Sequence, residues 1–276
     1  MSYQDDLKSH LAEYKRLHLG IIEPGVFRYR GRNLLYHHIL PLAKASANLL
    51  SEAQSTASAF LAVDPRKRHR YFHHLNSSQA FAFNLFFPYL SGGPGAASVL
   101  LRALGQKGAL AKWEPEAVLV PDEETNIDVC WETSDGLATF CEVKLSEADF
   151  GKAVDDARHR AKLRDIYSKA LGGHLQRSRL EPSVFFNAYQ FNRNLWHMVR
   201  TDRSRLIFLL PRSNTRLWRL LQGLLVGVVP LTQERISVIA IEDVIANLLA
   251  DDECPEWLRK YPSKLNQKYI IKSTSQ

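Results

Sequence analysis

The sequence predicts an α/β chain with a helical N-terminal extension, and three observations carry that prediction. Residues 1–105 alternate helical periodicity with loop signals and hold few strand-like runs. From Trp113 onward, short apolar runs, a long helical pattern and further strand and helix patterns follow one another, which is the texture of an α/β core. The composition, 45% apolar and 24% charged over 276 residues, suits a chain that buries a sizeable core. Long disorder and a stapled mini-protein are both excluded.

The elements follow in order. Residues 2–18 mix polar and apolar positions at helical spacing. Pro41 fits the first turn of a helix running to about Val63, because its missing N–H is not needed there. The basic run Arg66-Lys67-Arg68-His69-Arg70 breaks the pattern, Asn76-Ser77-Ser78 caps a helix over 79–90, and Gly92-Gly93-Pro94-Gly95 acts as a hinge before a short helix ending near Leu104. In the second half, 117–120 reads as a first short strand, and 126–133 with 137–144 as a hairpin. Ser146 with Asp149 reads as the cap of a helix ending at Gly172-Gly173. A helix over 187–199, a strand over 205–210, a helix over 214–225, a strand over 236–240 and a helix over 241–249 complete the core, and a last helix lies in the tail beyond Cys254.

The expected division is a helical extension over 1–70, an α/β core over 71–250 and a C-terminal helix and tail over 251–276. Three scattered cysteines make neither a disulfide framework nor a CxxC zinc site, and fit a reducing cytoplasm. The N-terminus lacks the apolar core of a signal peptide, and the most apolar stretch, 217–231, carries Arg219 and Gln222, so no membrane span is expected. A net charge of +7 with pI near 9.3 favours polyanionic partners without specifying one.

The hairpin carries the chemistry. Its loop Ser134-Asp135-Gly136 is a three-residue connection with Gly at the left-handed position, so Thr133 faces Leu137 and Asp128 faces Glu142. Lys144, two residues beyond Glu142, points to the same side, while Ile127, Val129 and Trp131 pair with Val143, Cys141 and Thr139 on the other. Two carboxylates about 5 Å apart repel by roughly 3 kcal/mol at an effective dielectric near 20, so the pair calls for a proton, a cation or strong screening. A divalent metal held by one or two carboxylates, with a nearby ammonium, answers that need. The same three residues also read as the solvated face of an exposed hairpin, with Glu142 and Lys144 making a weak surface pair.

Thr125-Asn126-Ile127-Asp128 followed by Glu142-Val143-Lys144, with the order of elements around them, resembles the PD-(D/E)XK nuclease superfamily. More narrowly, the 76–81 stretch, Glu124 to Asp128 and Tyr189-Gln190 resemble a group of bacterial restriction-endonuclease-like proteins, over roughly residues 70–245. The resemblance implies a restriction-endonuclease-like central mixed sheet flanked by helices, with Asp128 and Glu142 binding a catalytic Mg²⁺ (Mn²⁺ substituting) and the Val143 carbonyl completing the shell. Lys144 would position or activate the water. Where many members place a Glu on the first core helix, this sequence offers Gln79, with Glu116 as a substitute acid. Gln190 matches the Gln that several branches carry on a helix after the E-x-K strand.

By spacing alone, Gln190, Arg193, Asn194 and His197 form one polar stripe, which for Asn194 and His197 above all reads as well as a solvent-facing side. The 66–70 run beside Tyr71-Phe72 could track phosphates or be a solvated loop. The histidine pairs His37-His38 and His73-His74 lack metal-ligand spacing. The function expected is Mg²⁺-dependent hydrolysis of phosphodiester bonds in DNA, with DNA as partner, a homodimer left open, and a catalytically silent nucleic-acid-binding protein as the alternative.

Overall fold

The computed structural model describes residues 2–120 and 126–271, and the chain divides into two compact units, 1–110 with 240–276 and 111–239. The first unit opens with α1 (Tyr3–His18), whose capping box joins Ser2 to Asp5, and continues into a hairpin of β1 (Gly25–Tyr29) and β2 (Arg32–Tyr36). The sequence reading missed this hairpin. Its signal was the Arg30-Gly31 turn, with φ of 47° and 76°, between runs of alternating residues. After Pro41 the chain makes a 3-10 segment over Leu42–Asn48 and then α2 (Ser51–Val63). The single helix expected from Pro41 is therefore broken, because the Leu50 N–H leaves the helical ladder for Asn84 Oδ1 at 2.7 Å. α3 (Ser78–Leu90) begins at its Ser77 cap, and α4 (Pro94–Ala103) starts after Gly93, whose φ of 91° makes it a turn residue.

The second unit is an α/β layer built on a five-stranded sheet, order β3-β4-β5-β6-β7. Its elements are β3 (Leu110–Ala117), β4 (Ile127–Thr133), β5 (Ala138–Val143), α5 (Ala157–Lys162), α6 (Ser168–Leu171), α7 (Pro182–Phe185), α8 (Tyr189–Val199), β6 (Ser204–Leu210), α9 (Thr215–Leu225), α10 (Pro230–Gln233) and β7 (Ile236–Ala240). β4 pairs antiparallel with β5 in the expected register, Val129 opposite Cys141 and Trp131 opposite Thr139, and Gly136 takes the left-handed turn position with φ 79°. β5 runs parallel to β6, which makes the sheet mixed. Phe140, Leu206, Phe208 and Leu210 present one face to Phe150, Tyr167, Phe191 and Leu195, all in one apolar cluster.

Two expectations here are corrected. The first strand is 110–117 and not 117–120. The helix expected from Ser146 begins only at Ala157, capped by Asp156, because residues 145–156 form a loop tied by Asp149 to the Gly151 N–H, with Gly151 at φ 64°.

The chain returns to the first unit with α11 (Ile241–Ala250) and α12 (Tyr261–Tyr269), which close a helical bundle by packing on α4 and α1. The compact units part near Leu110 and Ala240 and not at 70 and 250: α3 packs on α2, and α4 on α3 and α11, so both helices belong with the N-terminal segment. The bundle is held by a buried polar cluster. Asn84 Nδ2 donates to Asn48 O and Tyr269 Oη, and Lys268 Nζ donates to Asn48 O at 2.5 Å and Asn48 Oδ1 at 2.9 Å. Burial pushes the Lys268 ammonium down to about 7, with no carboxylate among the described residues set against it. Among the described residues no helix is long and apolar enough to cross a membrane.

Candidate active site

β4 and β5 deliver the acidic residues and α8 delivers the amides. Glu142 is only 1% exposed. Its Oε1 receives Lys144 Nζ at 2.9 Å and Gln190 Nε2 at 2.6 Å, and its Oε2 receives Asn194 Nδ2 at 2.8 Å. Lys144 Nζ also donates to Gln190 Oε1 at 2.6 Å, so the lysine, the glutamate and the glutamine close a three-membered ring of polar contacts. Asp128, half-buried on the neighbouring strand, accepts the Val143 N–H at 2.7 Å. The exposed-hairpin alternative is removed: Glu142 and Lys144 are a buried pair, not a weak surface one.

The α8 stripe is likewise not a solvent face. Asn194 and His197 are buried, the His197 ring lies 6.5 Å from Phe140, and α8 is buried nearly all round because Phe191 stacks on Phe208 at 5.7 Å. The sequence reading left Asn194 undecided, although the i, i+4 spacing from Gln190 already placed it on the same side. Asn194 Oδ1, Arg193 Nε and His197 Nε2 are buried with no hydrogen-bond partner among the described residues. Arg193 reaches instead with its Nη2 to Asn126 O at 3.3 Å.

The electrostatics follow from crowding. Burial, then Glu142 and Glu116, push the Asp128 carboxyl well above the ordinary carboxylate range. Burial by itself would lower the Lys144 ammonium; Glu142, Glu147 and Asp128 outweigh it and hold the group above its ordinary value. Lys144 is thus a fixed cation and no proton acceptor at neutral pH. Glu147 is drawn in through the Leu145 and Ser146 N–H groups, at 2.8 and 2.9 Å.

Glu116, next to last in β3, is a buried carboxylate in a backbone at φ 49° that L residues adopt at a cost of about 1 kcal/mol, and it accepts from Asn126 Nδ2 at 3.1 Å. Gln79 lies in the first unit, where its Oε1 accepts the His69 N–H at 2.8 Å and its Nε2 donates to Lys67 O at 2.7 Å. Of the residues the sequence singled out, Asp128, Glu142, Val143, Lys144 and Gln190 come together. Glu124 and Thr125 lie outside the described residues.

Hard oxygen donors short of positive charge suit Mg²⁺, which takes one or two carboxylates and fills its shell with water. Among the described residues no group of three His, Cys, Asp or Glu is gathered to hold a metal ion, so such a site rests on Asp128 and Glu142.

Residues 8–270 match the family described as restriction endonuclease associating with ARP. The chain belongs to this family. No curated protein and no solved structure matches it. The match runs through both compact units, so membership of this restriction-endonuclease family covers the helical bundle as well as the sheet that carries Glu142 and Lys144.

Proposed function

We propose that the chain is a Mg²⁺-dependent nuclease that hydrolyses phosphodiester bonds in DNA. The observation that carries this reading is the buried Lys144, locked between Glu142 and Gln190 beside a second carboxylate, Asp128, on the adjacent strand. An apolar strand end has no structural need for such a group, and a buried ion pair is a poor source of stability. Membership of the restriction-endonuclease family supports DNA as the substrate class.

Asp128 and Glu142 would hold the ion, with the Val143 carbonyl available from the same strand. When bound, Mg²⁺ supplies Lewis-acid stabilisation of charge on the phosphate oxygens. Lys144, held protonated, donates to the attacking water and offsets negative charge as phosphorus gains a fifth oxygen; Gln190 fixes its Nζ, and Asn194 fixes the Glu142 carboxylate. Lys144 orients the nucleophile without taking its proton, which passes to bulk water, while a second water protonates the departing oxygen.

Nicking of supercoiled plasmid in Mg²⁺ or Mn²⁺ tests this. The parent protein cuts; Lys144→Ala keeps DNA binding and loses about 10²–10³ in rate, the worth of one donor aimed at developing charge; Asp128→Ala loses cutting and metal affinity together. A Lys144→Ala protein cutting at the parent rate overturns the assignment. One observation favours the silent nucleic-acid-binding alternative: both Glu142 oxygens are already filled by protein donors. A parent protein that binds DNA and cuts nothing in either metal selects it.

A further inference from the structure

The β1–β2 hairpin exposes aromatic rings on one face and arginines along its rim. Phe27 sits at the centre of that face, stacked on Tyr29 at 5.9 Å and 18°, with Tyr36 at 6.3 Å, and Tyr71 and His74 packed on it at 5.5 and 5.7 Å. Strand alternation explains the grouping, since Phe27 and Tyr29 pair with Leu34 and Arg32, and Gly25 pairs with Tyr36, on one side of the ribbon. Tyr29 and Tyr36 are 49% and 39% exposed, an unusual state in a chain whose large rings are mostly buried.

The rim is cationic. Arg30 lies over the Tyr29 ring at 5.2 Å and Arg70 over the Tyr71 ring at 4.4 Å. Arg32 pairs across from Tyr29, and Arg68 is exposed in the adjoining loop. None of these four makes a salt bridge among the described residues, whereas Asp64, the acid nearest the loop in sequence, is taken by Arg66 at 2.9 Å. Burial, followed by the neighbouring histidines His73, His38 and His69, pushes His74 down to about 3, so it contributes a neutral ring to the floor. Partly exposed rings, framed by guanidiniums that no carboxylate among the described residues neutralises, complement a polyanion whose bases are free to stack.

We propose that this hairpin face binds single-stranded nucleic acid, bases stacking on Tyr29 and Tyr36 while Arg30, Arg32 and Arg70 hold phosphates. A duplex satisfies the arginines but hides its base faces from the rings. The proposal does not depend on the cleavage chemistry, because the hairpin belongs to the first unit and Asp128, Glu142 and Lys144 to the second.

Binding of the full chain to a fluorescent oligothymidylate of roughly 20 nucleotides, measured by anisotropy in EDTA so that no cutting intervenes, tests it. The expected result is binding that Tyr29→Ala with Tyr36→Ala weakens at least roughly tenfold, from base stacking worth about 1–3 kcal/mol per ring, and that Tyr29→Phe with Tyr36→Phe retains. Arg30→Gln with Arg32→Gln should flatten the slope of log K against log salt by about 1.4, at roughly 0.7 for each phosphate no longer neutralised. These positions are exposed, and an unchanged circular dichroism melt shows each variant folded. The proposal is overturned by parent-like affinity in the Tyr→Ala protein, by a preference for a duplex of equal length that the ring variants leave intact, or by sedimentation with phosphatidylserine vesicles in place of oligonucleotide binding.

Discussion

Glu142 accepts from Lys144, Gln190 and Asn194 while almost wholly withdrawn from water, so its charge is inseparable from that of Lys144. Removing one partner of a buried pair leaves the other uncompensated, a loss typically of about 3–5 kcal/mol, whereas removing both is far milder. Glu142→Gln should therefore lower stability by roughly that amount, and Glu142→Gln combined with Lys144→Gln should recover a large part of it. Urea unfolding of the four proteins closes the cycle. Additive losses would mean that the two charges do not meet. The strand register was legible in the sequence: a three-residue turn ending in Gly136 sets Val129 opposite Cys141 and Trp131 opposite Thr139, which brings Asp128 and Glu142 to the same end of the hairpin. What no local pattern could show is that α8 covers this face. A polar stripe of Gln190, Asn194 and His197 looks the same whether it meets water or a buried carboxylate.

Elements failed to declare themselves where the backbone breaks periodicity for a tertiary reason. Residues 145–156 carry a serviceable cap at Ser146 and helix-compatible residues, yet they form a loop because the Gln190 N–H bonds Phe150 O and the chain must pass close beneath that side chain. Gly151 makes the passage: its φ is +64°, and a Cβ there would lie 3.1 Å from Gln190 Cβ and 3.2 Å from its Oε1. Gly151→Ala should cost about 1–2 kcal/mol in backbone strain and displace Gln190 from Lys144, lowering the cleavage rate. Combining it with Gln190→Ala, which already lacks the side-chain hydrogen bond from Lys144 Nζ, should add strain but little further rate loss; plasmid nicking and thermal melts separate the two effects. A second prediction concerns α12. Lys268 has its ammonium lowered from 10.5 to about 7 by burial, so between those values the unfolded chain binds a proton that the folded chain does not. Stability should rise with pH through that window and be free of this contribution to the slope below about 7. In Lys268→Met the rise should be smaller, with the variant gaining on the parent most at low pH. Urea midpoints from about pH 6 to 9.5 span most of that window and measure the difference, and parallel curves would show that the parent lysine titrates normally.

At the scale of the molecule the sequence announced a helical half followed by an α/β half, and the structure keeps both, but the helical unit takes in α3 and α4 and is completed by α11 and α12 from the far end of the chain. A return of this kind leaves no trace in composition, because an amphipathic helix states that it needs a partner without naming one. Charge is legible at this scale, and it points two ways. The chain carries +7 overall, while Glu142, Glu147 and Asp128 crowd around Lys144. DNA drawn to the basic surface should show the log-linear weakening with salt expected of counterion release, about −0.9 per neutralised phosphate. A phosphate that reaches the acidic residues meets repulsion unless a divalent cation is present. Ca²⁺, an oxygen-seeking ion that lets binding be measured apart from Mg²⁺-supported cutting, should therefore tighten duplex binding by the parent protein at constant ionic strength. The same addition should do little for Asp128→Ala, which has lost a ligand for the cation. Anisotropy titrations with and without Ca²⁺ on the two proteins decide the matter: equal Ca²⁺ responses would place the bound phosphates away from Asp128 and count against the nuclease reading.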